Sequence, residues 1–237
     1  MKILHLYHDI MNLYGEYANI SALERFIEKN AGICQTDRCS FDKKAELADY
    51  DFIYVGSGTE RNQKLIMEDM KKYKSELENA INSGKVILMT GNSFEMLGKT
   101  VTDPEGTAYE GLGIFDFETT EQNKTRITAD AVFTSDFSDK KLVGFINKCS
   151  SIKNISSPLF SILMGIGNNE AEKTEGIRKN NLFGTHLTGP VLIKNPYFLE
   201  YIASLLPGME KADGSYLKYE KAGYEVTLSE LTKRMNQ

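Results

Sequence analysis

Apolar residues along the chain switch between two spacings. Ile3, Leu4, Leu6 and Tyr7 form a short continuous run, as a strand covered on both faces requires. Ile20, Leu23, Phe26 and Ile27 then recur at helical spacing, and Gly32 closes that segment. Residues 33–41 suit a second strand, and Asp51 to Val55 is a compact third one ending in Gly56-Ser57-Gly58. From Glu60 to Asn82, the set Ile66, Met70, Tyr73, Leu77, Ala80 and Ile81 tracks one helix face, with Gly84 as the stop. Lys85 to Thr90 is another strand, followed at once by Gly91-Asn92-Ser93 and a short helix pattern through Leu97. Strands that alternate with helices need crossover connections, so the first half predicts a mostly parallel sheet covered on both faces.

The second half has a different pattern. Residues 113–121, 126–134, 142–149 and 158–166 are strand-like with little helix between them. Residues 176–188 suit a hairpin turning at Asn180-Asn181, because Asn tolerates positive φ. Phe198, Tyr201, Ile202 and Leu205 then mark a helix that ends near Pro207-Gly208. Residues 209–237 form a polar extension with a helix expected after Thr227. No internal repeat and no long Gly/Ser linker divides the chain, so residues 1–208 are expected to fold as one α/β domain with an antiparallel region.

Composition narrows the function classes. The 237 residues are 41% apolar and 26% charged with only 5 prolines, which excludes a disordered or collagenous chain. A net charge of −5 argues against general nucleic-acid binding. No stretch approaches the roughly 18 apolar residues of a membrane span. The first residues lack a basic start and a small-residue cleavage site, so Cys34, Cys39 and Cys149 are expected to be reduced thiols in a cytoplasmic protein. His5, His8 and Asp9 have no diagnostic metal spacing, and Cys34 and Cys39 have no second pair to complete a zinc site. No metal and no cofactor is expected.

Candidate chemistry centres on residues 85–98. A buried strand runs through a sharp glycine turn into a helix, which exposes one residue above the C-terminal edge of a sheet. The segment from Gly84 to Gly98 resembles the nucleophile elbow of class I glutamine amidotransferases of the cobyric-acid-synthase-like (CobB/CobQ) branch. Further segments resemble one subfamily, the GatD-type glutaminase subunit of lipid II isoglutaminyl synthase. They are Leu6 to Gly15 with Asn19-Ile20, Gly56-Ser57-Gly58, Gly165 to Asn169, Lys173 to Gly176 and Phe183 to Pro196. The resemblance implies a class I amidotransferase fold: a mainly parallel central sheet flanked by helices, with an antiparallel extension. It also implies a glutaminase in which a cysteine attacks the glutamine amide, a histidine relays protons, and ammonia passes to a Mur-ligase-like partner.

Two positions depart from that pattern. The family's cysteine falls on Gly91, and the histidine of its His-Gly-Pro unit falls on Thr188. Glycine has no attacking atom, and threonine is no base near neutral pH. The resemblance therefore implies a subunit that has lost glutaminase chemistry and serves as a binding or scaffold partner. Two alternatives stand beside this reading. One is an active amidohydrolase with an off-register pair, Ser93 and His186; against it, Ser93 suits a helix cap and His186 a hydrogen-bonded polar residue. The other is a sensor that binds glutamine or another small amino acid. Asn92 and Glu95 stand where the family has Gly and Gln, and Gly56, Ser57 and Gly58 match the loop that supplies an oxyanion-hole N–H. By the same resemblance Arg126, which begins a strand after the elbow region, is expected to meet a glutamine carboxylate.

Overall fold

The structure, a computed structural model, describes residues 1–122 and 126–236. Its first half alternates strands Lys2–Leu6 (β1), Gln35–Cys39 (β2), Phe52–Val55 (β3) and Val86–Thr90 (β4) with helices Tyr17–Ala31 (α1), Glu60–Met70 (α2) and Lys74–Asn82 (α3). Six short strands follow: Thr100–Thr102 (β5), Ala108–Glu110 (β6), Glu118–Glu121 (β7), Ile127–Thr134 (β8), Leu142–Lys148 (β9) and Ser150–Lys153 (β10). After them come Phe160–Met164 (β11), Thr174–Glu175 (β12), Ile177–Lys179 (β13), Leu182–Thr185 (β14) and Leu187–Thr188 (β15). Helices Val191–Lys194 (α4), Pro196–Ser204 (α5) and Lys218–Met235 (α6) complete the order.

The central sheet runs β13-β14-β4-β3-β1-β2, parallel throughout except for the edge strand β13. Its continuous apolar runs have a direct cause. Leu4, Ile53, Val55, Ile87 and Met89 enter one core with α2 and α3, while Ile3, Phe52, Tyr54, Val86 and Leu88 enter another with α1 and α5. Both faces are dry, so the polar/apolar alternation of a half-exposed strand does not arise. The second core continues into a five-stranded antiparallel sheet, β12-β11-β8-β9-β15, and a four-stranded sheet, β10-β7-β5-β6, packs beside the first.

Several expectations need correction. The stretch Glu60 to Asn82 is not one helix, because a tight 3-10 turn at Lys71–Tyr73 separates α2 from α3. Of residues 113–121 only Glu118–Glu121 is a strand. Gly113 turns at φ +60°, and the N–H groups of Ile114 and Phe115 bond to the Leu97 carbonyl instead of to a ladder. The terminal helix begins at Lys218, well before Thr227. Its buried contacts are only Tyr224 and Leu231, too few to give a clear helical stripe, and Gly223 interrupts the pattern. Tyr224 and Leu231 pack on Val132 and Val143 of the antiparallel sheet, and the Tyr224 hydroxyl donates to the Lys141 carbonyl at 2.6 Å. The hairpin at Asn180-Asn181 forms as expected, with Asn180 at φ +52°, its amide donating to the Ile81 carbonyl of α3 and the Asn181 amide to the Gly84 carbonyl just beyond that helix. No helix among the described residues is long and apolar enough to cross a membrane.

Candidate functional site

The parallel pairing of β3 with β4 brings Val55 opposite Met89, so the loops after both strands open on the same sheet edge. The chain leaves β4 through Gly91 at φ +63° and enters a 3-10 helix, Gly91–Leu97. The left-handed backbone of a strand-to-helix elbow is therefore present, and glycine adopts it without steric cost. Gln63 of α2 locks the turn by donating its Nε2 to the Asn92 carbonyl at 2.7 Å and to Glu95 Oε2 at 2.8 Å.

Gly56-Ser57-Gly58 faces this elbow. The Gly58 N–H donates to Asn92 Oδ1 at 3.0 Å. A Cβ built on Gly91 would overlap the Ser57 Cβ and lie 3.2 Å from Ser57 Oγ. Ser57 Oγ is buried and has no hydrogen-bond partner among the described residues. The pocket lined by Ser57, Gly58, Gly91, Asn92, His186 and Thr188 has a volume of about 20 Å³, room for a single water.

His186 is where the chain passes from the central sheet to the antiparallel sheet. β14 ends at Thr185 and β15 starts at Leu187, which leaves the His186 N–H outside both ladders. Glu175 supplies the missing partner: its Oε1 accepts from the His186 backbone N–H at 2.7 Å and lies 3.1 Å from Nδ1, and its Oε2 accepts from the Thr185 hydroxyl. The other ring nitrogen, Nε2, lies 3.0 Å from Glu95 Oε1, which also accepts from the Ser150 hydroxyl. Two carboxylate contacts on one imidazole require two protons between them, whichever atoms carry these. Phe94 packs edge-on against the ring at 4.6 Å. Nearby Lys148 donates from Nζ to the carbonyls of Gly167 and Asn168, and burial lowers its pKa to about 8 against the pull of Glu95 and Glu175.

Beneath the elbow, Glu16 is fully buried. Its Oε2 accepts from the hydroxyls of Tyr54 and Thr90, and its Oε1 accepts from the Gly189 N–H at 2.9 Å. Burial raises its pKa even against those bonds. The carboxylate thus ties the Thr188-Gly189-Pro190 turn to the end of β4.

The expected site residues divide into two groups. Gly56, Ser57, Gly58, Gly91, Asn92, Glu95, Arg126, His186 and Thr188 do converge on one sheet edge. The Ser93–His186 pair does not form: Ser93 Oγ donates to the Val55 carbonyl at 3.1 Å and the Thr90 carbonyl at 2.8 Å, while both His186 nitrogens are held by carboxylates. Nor does Ser93 cap the helix as an acceptor, because it lies inside the first turn and donates backward. Thr188 Oγ1 donates to the Phe145 carbonyl at 3.3 Å. Arg126 is already engaged, with Nη1 on Glu60 at 2.7 Å and Nε on Asn147 at 2.5 Å. The sequence reading missed Glu16 and Glu175, although Glu175 lies inside the singled-out segment Lys173 to Gly176. It also missed Cys149, which borders the same pocket and donates to Glu60 Oε1; burial and that carboxylate push its thiol up to about 12, so it is no thiolate near neutral pH.

The CobB/CobQ-like glutamine amidotransferase domain matches residues 2–196. The chain belongs to this family. It is 35% identical over 208 residues to the lipid II isoglutaminyl synthase (glutamine-hydrolyzing) subunit GatD of Staphylococcus aureus strain N315, covering 85% of this chain and 82% of that one. It is 30% identical over 197 residues to the GatD subunit of Streptococcus pneumoniae strain ATCC BAA-255 / R6, covering 82% and 76%. Among solved structures, a glutamine amidotransferase from Thermotoga maritima superposes with a TM-score of 0.53 at 15% identity, over 99% of this chain and 97% of that one. At that identity the likeness speaks for the fold, which is that of class I glutamine amidotransferases. The expected family and fold are thereby borne out.

Proposed function

We propose that this GatD-like chain is an amidotransferase-family subunit that no longer hydrolyses glutamine, and that it serves as the binding or scaffold partner of a Mur-ligase-like enzyme in peptidoglycan amidation. One observation carries the reading. The elbow keeps the left-handed backbone that presents a nucleophile, but its apex is Gly91, which has no side chain. The neighbouring groups do not substitute for it, since Ser93 and Thr188 are committed to backbone carbonyls and the Cys149 thiol is held protonated. Triad chemistry is a joint property, so losing the nucleophile removes nearly all of the rate.

The partner is inferred from the relatives, which are named as subunits of lipid II isoglutaminyl synthase. On this reading the chain works in the cytoplasm, with residues 1–208 as the amidotransferase-like body and residues 209–237 as an extension whose helix α6 packs on the antiparallel sheet. The test is co-expression with a Mur-ligase-like protein, followed by size-exclusion chromatography with light scattering and an amidation assay on lipid II. The expected result is a stable complex that amidates with ammonium chloride and not with glutamine. Product formation from glutamine alone, or strictly separate elution of the two proteins, would overturn the reading.

A further inference from the structure

Losing a nucleophile does not by itself fill a substrate pocket, yet this one retains a volume of only about 20 Å³. We infer that Ser57 and Asn92 shut the elbow pocket to a glutamine side chain, Ser57 by filling the space of a side chain at position 91 and Asn92 by occupying the Gly58 N–H with its own carboxamide. The inference rests on the non-hydrolytic reading above and removes the amino-acid sensor from its alternatives.

The geometry supports each half separately. The overlap of a residue-91 Cβ with the Ser57 Cβ involves a short side chain rooted in a tight loop, so nothing flexible can swing aside. What Ser57 contributes on the elbow side is its Cβ, which stands where a residue-91 side chain would begin. Asn92 acts on the polar side of the pocket. A carboxamide ligand would place its carbonyl oxygen on a backbone N–H beside the elbow, the arrangement that also stabilises an oxyanion. Asn92 Oδ1 already takes the Gly58 N–H at 3.0 Å, and Asn92 carries the same functional group as glutamine's side chain. The side chain of residue 92 is therefore an internal occupant of the carboxamide site. The remaining volume of about 20 Å³ suits a water and not a carboxamide with its methylene stem.

The steric half is tested by thermal unfolding of Gly91→Cys, Ser57→Gly and the double variant. Gly91→Cys alone should lower the midpoint by roughly 5–10 °C, and adding Ser57→Gly should recover at least half of that loss. A double variant as unstable as Gly91→Cys overturns the steric half. The polar half is tested by hydrogen exchange: Asn92→Ala should speed exchange of the Gly58 amide at least about tenfold, and an unchanged rate overturns it. Occupancy is then read directly. The unaltered protein should show no saturable response to tens of millimolar glutamine in ligand-observed NMR, and Ser57→Gly/Asn92→Gly should show one. Saturable binding by the unaltered protein, or none by the folded double variant, overturns the inference. Failure here without glutamine turnover leaves the proposed function standing, whereas glutamine turnover by the unaltered protein overturns that function first.

Discussion

The elbow and the polar cluster behind it meet at one pocket, which Glu95 and His186 line, and are built in opposite ways. At the elbow, Gly91 keeps the left-handed backbone that would present a nucleophile, but it carries no side chain and the Gly58 N–H is taken by Asn92. Behind it, Glu95, His186 and Glu175 are the titratable groups a catalyst would want, and their polar atoms are consumed in internal bonds. The contrast teaches that acid–base residues near an elbow are not evidence of chemistry until something remains free to meet a substrate. His186 serves as a joint between two sheets, and Glu175 completes the backbone bonding that the sheet switch leaves open while Glu95 holds the far side of the ring.

The contrast can be broken by substitution. The largest effect is expected at Glu175. Replacing it with Ala orphans the His186 N–H, the Nδ1 side of the ring and the Thr185 hydroxyl at once, and should cost about 3–5 kcal/mol in urea unfolding. A loss under about 1 kcal/mol would show that the cluster is not the joint described here. Gly91→Ala combines a left-handed alanine with the Ser57 overlap and should cost about 2–4 kcal/mol by the same measurement.

Next comes pH. Lys148 has a folded pKa of about 8, below the usual lysine value near 10.4, so the unfolded chain binds more protons between those two values. Stability contributed by this group therefore rises with pH across that window, by about 1.5 kcal/mol from pH 8 to 9.5. Urea midpoints of Lys148→Met compared with the unaltered protein at the two pH values isolate that slope, which should be absent from the variant. The smallest effect belongs to the pocket's rim. Arg126→Ala removes a half-exposed ion pair with Glu60 and should change stability by no more than about 1 kcal/mol. A larger loss would place Arg126 with the cluster and not with the rim.

Most of the central sheet was legible because its runs and helices follow one rule each: continuous apolar residues where both faces are covered, and a helical stripe where one is. Gly56, Ser57, Gly58, Gly91 and Thr188 could be placed at one edge because loops after adjacent parallel strands must meet there. The short strands β5, β6, β10, β12 and β15 were not legible. Two to four residues give no period, and their pairing is set by partners far along the chain. The work of Glu16 and Glu175 was equally hidden. A lone glutamate in a sequence looks solvated, and only the fold shows that it completes the bonds of a turn or a sheet crossing.

The most direct measurement is glutamine turnover by the purified, unaltered protein, alone and with the Mur-ligase-like protein proposed as its partner, followed as glutamate and ammonia release. The account predicts a rate at the uncatalysed background in both cases. Catalytic release of glutamate, in either case, would contradict it and require a nucleophile other than a residue-91 side chain.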